Sequence, residues 1–80
     1  MERTLKEIAN EVHRDWGEKV YFGARPYLEA MEELNTVHDR YVLDSGASIV
    51  RYFLANATTW RGEVARRVKA ELKTMLKEVR

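Results

Sequence analysis

The chain has 80 residues, 45% of them hydrophobic and 34% charged, with no cysteine and a formal net charge of +1. That length makes one helical domain over 1–80, and a chain so short buries only roughly 60–65% of the surface it exposes when unfolded, so its core must be compact. The composition excludes a disordered chain, a disulfide framework and a thiolate metal site, and no apolar run approaches the ~20 residues of a membrane span.

Thr4-Leu5-Lys6-Glu7 fits a capping box, in which threonine and glutamate each satisfy a free backbone N–H at a helix start. Leu5, Ile8, Ala9, Val12 and Trp16 follow at spacings of three and four, and Gly17 supplies a helix end, giving a first helix over 4–16. Pro26 suits the first turn of a second helix, over 26–36, whose stripe is Tyr27, Leu28, Met31 and Leu34. Val20, Tyr21 and Ala24 extend that stripe backwards as a short helical lead-in.

The irregular stretch "NTVHDRYVLDSGAS" carries Val37, Tyr41, Val42 and Leu43, too apolar for free solvent, and is expected to pack across the bundle. Asp44 or Ser45 caps a third helix over 45–57, whose wide apolar face of Ile49, Val50, Phe53, Leu54 and Ala57 makes it the central one. A fourth helix over 59–79, capped by Thr58 or Thr59, buries Ala65, Val68, Leu72, Met75, Leu76 and Val79. Gly62 is read as a point of close approach to the second or third helix, because glycine costs roughly 1 kcal/mol against alanine inside a helix. Four such helices predict an all-α fold, a small bundle.

Charge is segregated. Residues 1–60 hold seven Lys/Arg against ten Asp/Glu, and residues 61–80 hold seven against three. On the fourth helix Arg66, Lys69, Lys73, Lys77 and Arg80 fall within about 80° of one another at 100° per residue. Glu63, Arg67 and Glu71 form a separate row with i,i+4 pairing.

Enzyme signatures are missing, so no catalytic residue, cofactor or metal is assigned. His13 and His38 have no partner at i+3 or i+4, which removes a helical zinc motif. Glu29, Glu32 and Glu33 read as a solvated acidic face, and Ser45 and Ser48 as capping residues. Gly46 and Gly62 stand alone, outside any phosphate loop. Asn56-Ala57-Thr58 matches a glycosylation sequon, which means nothing without secretion, and the charged opening "MERTLKEIANE" lacks the apolar middle of a signal peptide.

What remains is "NATTWRGEVARR", a turn leading into a basic helix. Trp60 is either a lid on the core or an exposed contact, and the basic stripe is either a solvated face or a binding surface. The candidate interaction surface is Trp60, Arg61, Arg66, Lys69, Lys73, Lys77 and Arg80, with Tyr21, Phe22 and Tyr41 as secondary candidates. Tyr21, Phe22, Tyr27, Tyr41, Tyr52 and Trp60 with Arg61 are of the residue types enriched at interface hot spots, and two Trp, four Tyr and two Phe are more than so small a core can hide. Helix, polar turn, helix is also the outline of a helix-turn-helix, in which Arg61 would contact guanine and Arg66 or Arg67 a phosphate. Against that, the turn lacks the usual glycine, and +1 is a low charge for a DNA binder. A basic amphipathic helix on an anionic membrane is a third reading, with few bulky residues to insert.

The strings "VYFGARPYLEAM" and "SIVRYFLANATTWRGEVARRVKAELKTML" resemble small accessory proteins of actinobacterial bacteriophages, over roughly residues 5–76. The resemblance implies an accessory phage protein acting in the cytoplasm of a bacterial host, a class that often works by binding a host or phage protein. It brings no site residues with it. The sequence therefore points first to an interaction protein whose partner is another protein or a second copy, with the acidic second helix and basic fourth helix as matching faces of a homodimer. DNA binding through 59–80 is the alternative.

Overall fold

A computed structural model describes residues 3–79 and places α1 at Leu5–Trp16, α2 at Arg25–Met31, α3 at Gly46–Ala55 and α4 at Glu63–Lys77. A two-stranded antiparallel hairpin, β1 (Arg40–Tyr41) with β2 (Asp44–Ser45), precedes α3. Among the described residues the fold is all-α, a small bundle in which α1 and α3 each pack against both α2 and α4. No described helix is long and apolar enough to cross a membrane.

The start of α1 has the predicted capping box: Glu7 N–H donates to Thr4 Oγ1 at 3.0 Å, and Thr4 N–H donates to Glu7 Oε1 at 2.8 Å. Two more first-turn donors, Leu5 and Lys6 N–H, reach the carbonyls of Asn35 and Leu34 at 2.9 and 3.0 Å, which ties α1 to the end of the α2 segment. All five apolar residues of the α1 stripe are buried. Gly17 ends the helix at φ 62° and donates to the His13 carbonyl.

The second helix is shorter than the periodicity suggests, ending at Met31 and not at 36. Glu33 and Leu34 N–H bond to carbonyls three residues back, so the chain tightens into turns. Asp39 then captures the next donors, Asn35 and Thr36 N–H, on its Oδ2 at 2.9 and 3.1 Å. The helical lead-in is present as a 3₁₀ turn over Phe22–Ala24.

Ser45 caps α3 by accepting from Ser48 N–H at 3.1 Å. Helix α3 carries Phe53, the largest fully buried side chain. The fourth helix begins four residues later than expected. Neither Thr58 nor Thr59 caps it; the N-cap is Gly62, with no side-chain cap, at φ 114° and ψ −178°, a backbone region open essentially to glycine alone. Nothing lies within 4 Å of where a Gly62 Cβ would stand, so that glycine serves the chain's direction and not a close helix approach.

The intrahelical row Glu63, Arg67, Glu71 gives way to bonds between helices. Arg67 pairs with Glu11 of α1, and Arg3 forks onto Glu71, with Nη2 at 2.6 Å and Nε at 3.1 Å, while its Nη1 lies 2.7 Å from Glu11. The Arg67 and Arg3 guanidiniums hold the Glu11 carboxyl below its usual value. Thr4 N–H does the same for Glu7, and Thr36 and Asn35 N–H for Asp39. Because these three carboxyls bind protons more weakly folded than unfolded, their stabilisation is complete above the ordinary values of 4.5 and 3.8 and is lost as pH falls through the lowered ones. Melting temperatures measured from pH 7 to pH 2 should stay level down to about 5 and then fall. A level profile down to pH 2 would contradict these bonds.

Candidate functional site

Trp60 is not a surface residue. It is 2% exposed, stacked on Trp16 at 5.6 Å and 14°, and edge-on to Phe53 at 6.5 Å. Its indole Nε1–H donates to Asp15 Oδ2 at 2.8 Å, so the polar atom of a buried ring has its partner. The lid reading holds and the contact reading of Trp60 falls.

Lys69 is drawn into the same cluster. Its Nζ donates to the Trp60 carbonyl at 2.7 Å and stands 5.9 Å from the centre of the Trp60 ring. Burial, then the nearby charges of Lys73 and Arg61, push its pKa down. Lys69 therefore closes the chain segment before α4 and leaves the basic stripe. Arg61, Arg66, Lys73 and Lys77 are exposed, and none takes part in an ion pair among the described residues. Arg80 lies outside the described residues. Three of the five stripe cations, Arg66, Lys73 and Lys77, thus form a free row on the outer face of α4.

The secondary candidates divide. Tyr41 is half-buried against the core, whereas Phe22 is 74% exposed and Tyr21 43%. The 3₁₀ turn holds these two rings out together, with centroids 4.8 Å apart. A Cβ placed on Gly23 would lie 2.5 Å from the Tyr21 ring and 2.9 Å from Asn56 Oδ1, so Tyr21 folds over that glycine towards the end of α3. One turn back along α3 is Tyr52, 49% exposed, whose carbonyl accepts from Asn56 Nδ2 at 2.9 Å. Its ring meets half-buried Tyr27 of α2 at 5.3 Å. Phe22, Tyr21, Asn56, Tyr52 and Tyr27 therefore form one continuous surface across the junction of α2 and α3.

In the sequence the charged stripe of the fourth helix is the louder signal, so Tyr21 and Phe22 rank second to it and Tyr27 and Tyr52 stand out by residue type alone. The signal for Tyr52 was present: it stands off the apolar stripe of α3, whose buried members are Ala47, Ile49, Val50 and Phe53. Val42 and Leu43 were expected to pack across the bundle, yet they are 81% and 86% exposed at the tip of the hairpin. Val37, from the same stretch, is buried as expected.

Among the described residues no group of three or more His, Cys, Asp or Glu is placed to hold a metal ion. His13 Nε2 meets Glu32 at 2.6 Å, an exposed pair joining α1 to the turn after α2. No protein family, curated protein or solved structure matches this chain.

Proposed function

We propose that this chain is a non-enzymatic interaction protein that docks a protein partner on the aromatic surface of Tyr21, Phe22, Tyr27 and Tyr52. The observation that carries this reading is the exposure of Phe22 and Tyr21 as a touching pair in a chain whose two tryptophans are buried. Exposed apolar rings gathered on a rigid framework cost solvation in the free protein and are recovered by burial against a partner. On this reading the partner is a host or phage protein in a bacterial cytoplasm.

The test is affinity capture from an actinobacterial lysate, with and without nuclease, using the wild type and the Phe22→Ser, Tyr52→Ser double variant. Retention of a protein that survives nuclease and drops at least tenfold with the variant is the expected result. Retention unchanged by the variant removes the aromatic surface from the reading.

A second reading, an anionic partner such as DNA, has its own support in the free row of Arg66, Lys73 and Lys77. Phosphate binding would weaken steeply with salt and disappear in the Arg66→Glu, Lys73→Glu, Lys77→Glu triple variant. Lys69 is left out of that variant because its ammonium holds the Trp60 carbonyl. The helix-turn-helix form of this reading is weakened by the seven residues 56–62 between α3 and α4 and by the acidic Glu63 in the first turn of α4.

A further inference from the structure

Elsewhere in this fold, a cation drawn away from solvent is met by a carboxylate. The Arg3 side chain, one-third exposed, lies 2.6 Å from Glu71 and 2.7 Å from Glu11. Lys69 is the exception. Its half-buried ammonium gives one N–H to the Trp60 carbonyl at 2.7 Å and stands 5.9 Å from the Trp60 ring. No carboxylate pairs with it among the described residues, and two of its three N–H groups are unspent.

The charges around Lys69 are cations. Arg61 follows Trp60 directly, and Lys73 stands one turn further along α4; both are exposed, and neither is in an ion pair among the described residues. After burial itself, these two charges are what oppose the Lys69 ammonium. Three like charges gathered beside a half-dry ammonium are mutually unfavourable, and an anion among them offsets each repulsion with an attraction.

There is room beside the cluster. Arg61 also lines a recess of about 460 Å³ with Asp15, Trp16, Lys19, Thr59 and Trp60. Lys19 brings another cation to its wall, and Thr59 a hydroxyl with no hydrogen-bond partner among the described residues. The one carboxylate there, Asp15, already accepts the Trp60 indole N–H at 2.8 Å.

We infer that Arg61, Lys69 and Lys73 bind a phosphomonoester dianion, with the recess beside Arg61 taking the group that the phosphate carries. Three cations supplied by the turn and by α4 match a ligand with close to two negative charges and three free oxygens, which a phosphomonoester presents near neutral pH. A carboxylate or a phosphodiester offers one charge and two free oxygens, and leaves one cation unanswered. The site shares only Lys73 with the outer row of α4 and uses no residue of the aromatic surface, so it stands or falls independently of both.

The test is calorimetric titration of the whole chain with inorganic phosphate and with adenosine monophosphate, at constant ionic strength against chloride. Arg61→Gln and Lys73→Gln change exposed side chains and leave the core intact. Lys77→Gln removes the same charge from the outer row but outside the cluster. The expected result is saturable one-to-one binding that weakens at least tenfold with Arg61→Gln and with Lys73→Gln and is unchanged by Lys77→Gln. Amide shifts confined to residues 59–62 and 69–73 on titration place the ligand at the cluster. Tighter binding of adenosine monophosphate than of phosphate makes an organic phosphomonoester the ligand; equal affinity makes it free phosphate. No saturation at millimolar phosphate or adenosine monophosphate overturns the inference. So does equal weakening by Lys73→Gln and Lys77→Gln, or displacement of neither ligand when Arg61 is changed, since each describes a diffuse basic face and not a site.

Discussion

Trp60→Ala should cost about 3–5 kcal/mol of stability, close to the whole margin of a domain this small. The substitution removes a ring packed between Trp16 and Phe53 and leaves a void at the end of the core. It also deprives Asp15 of the indole N–H and the Lys69 ammonium of the ring beneath it. Urea unfolding followed by far-UV circular dichroism checks this directly. A variant that kept wild-type stability and lost only binding would make Trp60 a surface hot spot after all. The prediction separates the residue that looks most like a contact in the sequence from those that are free to make one.

Gly46→Ala should cost up to about 3 kcal/mol, for a different physical reason. A methyl group there would lie 2.6 Å from the Thr36 carbonyl oxygen and 3.0 Å from Val37 Cα, both backbone atoms. The helix start cannot withdraw without breaking the bonds from Gly46 to Asp39 and from Ala47 to Val37. Gly23→Ala provides the comparison, because its methyl would meet the Tyr21 ring and the Asn56 side chain, which can rotate aside. Equal melting temperatures for the two variants would show that the 36–47 platform yields more readily than its bonding implies.

The four helices were legible because each carries an amphipathic stripe, and the capping box at Thr4 and the serine cap at Ser45 mark two of the starts by side-chain chemistry. The start of α4 was not legible. Thr58 and Thr59 are good capping residues, but the chain passes them and turns at Gly62, a position set by burying Trp60 on Trp16. The hairpin was invisible for a plainer reason: its strands are two residues long, and Val-Leu is the opposite of the Asn-Gly or Gly-X chemistry by which tight hairpins are recognised. Val37 could be placed inside from its apolar character, but Val42 and Leu43 could not be placed outside, since exposure there runs against transfer free energy. Positive φ at Val42 is equally unreadable from composition.

The candidate surface followed the same pattern. Helical angles put Lys69 in line with Arg66, Lys73 and Lys77, and only the fold shows it turned onto the Trp60 carbonyl. Tyr21 and Phe22 were readable as candidates by residue type. Their continuity with Tyr52 and Tyr27 depends on how α2 meets α3, a tertiary fact with no local signal.

The most direct measurement is a nuclear magnetic resonance footprint: the ¹⁵N-labelled chain titrated with the purified protein that it retains from the bacterial lysate. Amide shifts concentrated at residues 21–27 and 52–56, with α4 silent, are the predicted result. Shifts confined to the outer face of α4, around Arg66, Lys73 and Lys77, would contradict the aromatic surface and move the function to the basic row.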